Sequence, residues 1–144
     1  MTQQELTLLN LGQNLDDLSN LDPRGYGVCR ILYSASREYT GEPLTMNAAK
    51  KLASTVKEGD FTFILTGFSL LPFGKPETDG IISAMLLARA LVKAFNAKPV
   101  IICPEENLEA VKNLAYCIGL HLYTSLEDLK KYPVSMAVIP FTKD

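Results

Sequence analysis

The chain has 144 residues, 47% apolar and 21% charged, a balance that belongs to folded globular proteins and excludes a disordered segment. Its 14 basic and 16 acidic residues leave a net charge of -2, and no Lys/Arg run is long enough to track a phosphate backbone, so nucleic acid is not an expected partner. The apolar stretch Ile81 to Ala88 is broken at Arg89, short of a membrane span, and no leader-like pattern opens the chain; a cytoplasmic protein with no membrane partner is expected.

The length predicts one α/β domain over 1–144, its first 21 residues an amphipathic helix. Thr2 and Glu5 have capping-box spacing, and Leu8, Leu11, Leu15 and Leu18 follow on one helical face. That helix should stop before Asp22-Pro23. A second helix is predicted over Val28 to Tyr39, with Ile31, Leu32 and Ala35 inward, and a third is capped by Thr45 and continues through Met46, Ala49, Leu52, Ala53 and Val56. Phe61 to Thr66 then reads as a strand covered on both faces, because it is a largely apolar, aromatic and β-branched run bounded by Gly59 and Gly67.

Helices and strands alternate from there. The pattern predicts a helix over Gly80 to Asn96, with Gly80, Ser83, Ala84, Ala90 and Ala94 against the sheet and Arg89, Lys93 and Asn96 in solvent. Strand Pro99 to Cys103, helix Glu105 to Ile118, strand Leu120 to Thr124, helix Leu126 to Lys131 and strand Val134 to Phe141 complete the chain. This order predicts a three-layer α/β fold: a mostly parallel sheet of about four strands with helices on both faces, preceded by N-terminal helices.

In such a sheet, ligands bind beyond the carboxyl ends of the strands. The connection from Thr66 to Gly80 lies there and is long, which marks it as the functional candidate. Lys75, Glu77, Thr78 and Asp79 crowd its end, and N–H groups at Gly80 and Ile81 would favour an anion at the helix N-terminus. The plainer alternative makes Asp79 or Thr78 an N-cap and Glu77 a charge suited to the dipole. Cys103-Pro-Glu-Glu-Asn107 follows the next strand, where an ordinary helix start is the simpler reading. Arg24 is a candidate carboxylate fork, or a surface Arg paired with Asp22. No nucleotide-binding glycine pattern follows any strand, and no Gly-x-Ser-x-Gly occurs. Cys29, Cys103, Cys117 and the lone His121 suggest neither a disulfide framework nor a zinc site, and all four are expected to be structural. No cofactor is called for; a divalent metal stays open.

Thr66-Gly67-Phe68, then Pro76-Glu77-Thr78-Asp79-Gly80, then Ala88-Arg89-Ala90-Leu91 and Val100-Ile101-Ile102, resemble in their order the D-glutamate cyclase-like domain family, with Arg24-Gly25 similar to that domain's beginning. The resemblance runs from about residue 22 to the end and covers the first, N-terminal half of such a domain. It implies a lyase acting in D-amino acid metabolism: D-glutamate becomes 5-oxo-D-proline and water as the amine attacks the side-chain carboxyl. Glu77 and Asp79 would then serve as acid/base or ammonium ligands, with Thr66, Gly67, Lys75, Thr78, Gly80 and Arg24 as substrate contacts. The implied partners are a small carboxylate-bearing substrate and a chain carrying the second half; separately, an incomplete sheet would expose an edge that a second copy of the chain could cover. A non-catalytic binding or assembly module and a generic carboxylate- or phosphate-binding α/β enzyme stand as alternatives.

Overall fold

In the computed structural model, which describes residues 1–70 and 73–142, the first helix starts as its leading residues dictate. α1 (Gln3–Ser19) carries a complete capping box: the Thr2 N–H donates to Glu5 Oε2 at 2.7 Å and the Glu5 N–H to Thr2 Oγ1 at 3.2 Å. The leucine stripe is not its packed face. Leu8, Leu11, Leu15 and Leu18 are exposed, while Gly12 and Asp16 are buried. The packed stripe is displaced because α3 (Leu44–Thr55) comes very close at Gly12: a Cβ there would stand 2.8 Å from the Met46 Cβ, so only glycine admits the approach.

Thr45 does not cap α3 either. Asp16 caps it from α1, accepting from the Leu44 N–H at 2.6 Å, the Thr45 N–H at 2.9 Å and the Thr45 hydroxyl at 2.5 Å; Tyr33 of α2 (Val28–Thr40) adds its hydroxyl at 3.1 Å. Burial alone would raise the Asp16 carboxyl; these donors outweigh it and hold the group below the ordinary value. α2 buries no residue, and Ile31, Leu32 and Ala35, expected inside, are exposed. These helices form one compact unit, Met1–Thr55; Val56–Asp144 forms the other.

The second unit is built on parallel strands β1 (Phe61–Leu65), β4 (Lys98–Pro104), β5 (His121–Tyr123) and β6 (Ser135–Phe141), in the spatial order β1-β4-β6-β5. The last strand therefore pairs on both sides within the chain. α4 (Thr78–Phe95) follows β1, α5 (Leu108–Cys117) follows β4, and α6 (Leu126–Lys131) follows β5. Strand alternation sorts their contacts. Ile101, Cys103, Met136 and Val138 face one way and share a core with Ile81, Met85, Ala88 of α4 and Val111, Ala115 of α5, whereas Val100 and Ala137 face the other way and meet Leu129 of α6. This is a three-layer α/β arrangement with helices on both faces and N-terminal helices before it.

Two details depart from expectation. The sheet-facing side of α4 is Ile81, Ala84, Met85, Ala88, Leu91 and Val92, while Gly80, Ser83, Ala90 and Ala94 are exposed, because bulky residues gain more by burial than small ones. β1 is not covered on both faces: α6 reaches only part of its side of the sheet, and Phe63, Leu65, Ile139 and Phe141 are exposed.

Candidate functional site

The chain leaves β1 at Thr66, whose N–H still donates to the Ile102 carbonyl at 3.0 Å and carries the parallel pairing one residue past the strand. Gly67 follows with φ +116°, a conformation that side chains resist. Space there is also absent: a Cβ would lie 2.3 Å from Pro104 Cδ and 2.4 Å from Asn107 Nδ2. The loop then forms a small antiparallel hairpin, β2 (Ser69–Leu70) with β3 (Lys75–Pro76); Leu71 and Pro72 of the expected loop lie outside the described residues. The Glu77 N–H closes the hairpin onto the Phe68 carbonyl at 2.8 Å.

α4 begins at Thr78, two residues before the sequence pattern places it, with Glu77 in the N-cap position and no side-chain cap. Its first N–H groups, which have no carbonyl of the helix to bond, are consequently those of the Thr78-Asp79-Gly80 turn, and Ile81, 3% exposed, belongs to the core. The Asp79 Oδ1 sits 2.7 Å from the Gly80 nitrogen, so a carboxylate already lies against the helix N-terminus. Gly80 faces Thr66: a Cβ on Gly80 would stand 3.4 Å from Thr66 Oγ1. The structure thus joins Thr66, Gly67 and Gly80 around the end of β1. Lys75, Thr78 and Asp79 are exposed and Glu77 is half-buried.

Asn107 is the residue that sequence pattern passed over. A 3-10 turn (Glu105–Asn107) links β4 to α5, and Asn107 is 0% exposed, with neither Oδ1 nor Nδ2 hydrogen-bonded among the described residues. Its amide lies directly beneath Gly67. The only signal in the sequence was a polar residue after Pro104-Glu105-Glu106, which looks like any helix start. Nearby Cys103 is fully buried, and burial, then the charge of Glu106, pushes its thiol up and keeps it protonated.

A family model described as D-glutamate cyclase-like, C-terminal, matches residues 15–142. The chain belongs to this D-glutamate cyclase-like family. No curated protein and no solved structure matches the chain. The family resemblance read from the motifs holds, while the matching model is described as C-terminal, where the motif order had pointed to an N-terminal half.

Other candidates of this D-glutamate cyclase-like chain lie outside the loop in sequence. Arg24 belongs to the helical unit, exposed in a turn, and Asp22 accepts the Gly27 N–H at 2.5 Å. Among the cysteines only Cys103 is buried; Cys29 and Cys117 are exposed, as is His121, so burial does not account for those three. Among the described residues no group of three or more His, Cys, Asp or Glu is placed to hold a metal ion, and no helix is long and apolar enough to cross a membrane. The helical unit has a groove of about 560 Å³ between α1 and α3. Its lining is mainly apolar; of its charged residues, Glu42 and Lys50 are paired to each other at 2.5 Å and Glu5 accepts the Thr2 N–H of the α1 capping box.

Proposed function

We propose that this member of the D-glutamate cyclase-like family binds an amino-dicarboxylic acid at the end of β1 and closes D-glutamate to 5-oxo-D-proline and water. The observation that carries the reading is the Glu77-Thr78-Asp79-Gly80 turn, which gathers two carboxylate residues and the first N–H groups of α4, the one at Gly80 donating to Asp79 Oδ1, with Gly80 facing Thr66. In the reaction a C–N bond forms between the amine and the side-chain carboxyl carbon, and a C–O bond breaks. Of the three ammonium protons, one stays on the lactam nitrogen and two leave with the oxygen as water.

Each step matches a group in the turn. The N–H groups of Thr78, Asp79 and Gly80 hold a substrate carboxylate, which displaces the Asp79 carboxylate from Gly80. Asp79 and Glu77 then stand free to take protons from the amine and return them to the leaving oxygen. Thr66, Gly67 and Lys75 fix the substrate in a folded, near-attack conformer. This proposed role for the N–H groups replaces Ile81 with Thr78 and Asp79, in keeping with a helix that starts two residues earlier.

Incubation of the purified chain with D-glutamate, following 5-oxoproline by chromatography with L-glutamate as control, tests this reading. Turnover should appear with the D isomer, and Glu77→Gln and Asp79→Asn should each lower it about a hundredfold or more with the fold intact. A wild-type chain that forms no product sinks the autonomous-enzyme reading. The exposed sheet face of Phe63, Leu65, Ile139 and Phe141 favours a second reading, an assembly module that acts with another chain; activity that appears only on adding such a chain would decide for it.

A further inference from the structure

α1 holds an apolar stripe in water. Leu8, Leu11, Leu15 and Leu18 are between 41% and 66% exposed, and they recur at alternating steps of three and four residues, the a and d spacing of a coiled-coil seam. The helix cannot turn them inward. Asp16, on another face, is bonded to the Leu44 and Thr45 N–H groups and the Thr45 hydroxyl, and Gly12 lies so close to Met46 that a rotation would break those bonds and push a larger side chain into α3. The stripe is therefore fixed outward, where only another molecule removes it from water.

Three properties of α1 select a second copy of the chain. The spacing is symmetric about the level of Gln13: run antiparallel, a second copy sets Leu8 against Leu18 and Leu11 against Leu15, and a twofold axis repeats each pair. The seam and its exposed neighbours Gln4, Thr7, Asn14 and Ser19 are uncharged, while the acids of α1 are engaged elsewhere, Glu5 in the capping box, Asp16 in the α3 cap and Asp17 with Gln13. Two copies thus meet without like-charge repulsion, and antiparallel helices set their dipoles head to tail. The leucines offer roughly 400 Å² per copy and their polar neighbours about half as much again, which reaches the ~600 Å² per partner of small, reversible interfaces. We propose that α1 is the contact of a reversible homodimer, in which the leucine stripes of two copies pack antiparallel across a twofold axis. None of the residues at the end of β1 takes part in this contact.

Sedimentation of the full chain from about 1 μM to about 1 mM tests it; wild type should pass from monomer to dimer with a dissociation constant on the order of 10–100 μM. Leu11→Glu, and separately Leu18→Glu, should weaken association at least about tenfold. Both should keep the circular dichroism spectrum and melting temperature of the wild-type monomer, because the two positions are exposed. The direction of packing is read from Leu8→Lys combined with Leu18→Glu. Antiparallel pairing brings these charges together as opposite pairs, so the double variant should associate more tightly than either single variant, whereas parallel pairing would set like against like. Wild type that stays monomeric at the highest concentration overturns the proposal, as does a dimer that Leu11→Glu and Leu18→Glu leave intact. A double variant weaker than both single variants overturns the antiparallel arrangement.

Discussion

Asp16 in the helical unit and Asn107 in the sheet unit are both polar side chains shut away from water, at 3% and 0% exposure, and they differ in everything that surrounds them. Asp16 receives two backbone N–H groups and two hydroxyls from two other helices, so the cost of burying a carboxylate is offset by charge-assisted hydrogen bonds. Asn107 receives none among the described residues and pays the desolvation cost unrelieved. The contrast teaches that burial alone does not assign a role. A saturated buried group holds the fold, whereas an open one contributes no hydrogen bond to it.

The comparison breaks most visibly at Gly67. Gly67→Ala forces a methyl into Pro104 and Asn107 at a φ of +116°, and should cost about 4 kcal/mol of stability, the sum of overpacking and backbone strain, read by urea denaturation. If the variant unfolds at wild-type urea, the close approach over Asn107 is not real. Asp16→Ala comes next: it removes the cap of α3 and strands buried donors, an expected loss of about 3 kcal/mol, with fast hydrogen exchange appearing at the Leu44 and Thr45 amides. Asn107→Leu should leave stability unchanged or raise it by up to roughly 1–3 kcal/mol, since an unpartnered amide has no bond to lose and a desolvation cost to relieve. A large loss there would make Asn107 a second Asp16 and erase the contrast.

The smallest effect concerns pH. The Asp16 carboxyl is held below its ordinary 3.8, so its contribution is fully present above that value and fades as pH falls through the lower folded value. Glu42, lowered chiefly by the Lys50 hydrogen bond, has the same sign. Acid unfolding of wild type should therefore be steeper below pH 3.8 than that of Asp16→Asn, which keeps the Glu42 contribution and lacks the other. Parallel acid profiles would remove Asp16 from its place as a charged cap.

Much of the sheet unit was legible, because Phe61 to Leu65, Val100 to Cys103 and Met136 to Ile139 are apolar runs of strand length between helices of crossover length. The candidate turn was legible in outline from its place at a strand end. What escaped depends on distant partners. The Asp16 cap joins residues 28 and 29 positions apart, and the face of α1 moved because Gly12 lets α3 in. The helix α4 presents two stripes to choose from, and periodicity cannot say which of them finds the sheet. The β2–β3 hairpin is two residues per strand, too short for any alternation to register. Asn107 is silent in sequence because its signal is an absence of partners, visible only once its neighbours are in place.

The close approach of Gly67 to Asn107 also bears on how this family diverges. Glycine at 67 is demanded by the scaffold, through backbone angle and crowding, and should survive in any member that folds this way. The amide at 107 is different: it makes no hydrogen bond among the described residues, so hydrocarbon can replace it at little thermodynamic penalty. Position 107 is therefore free to drift where position 67 is not.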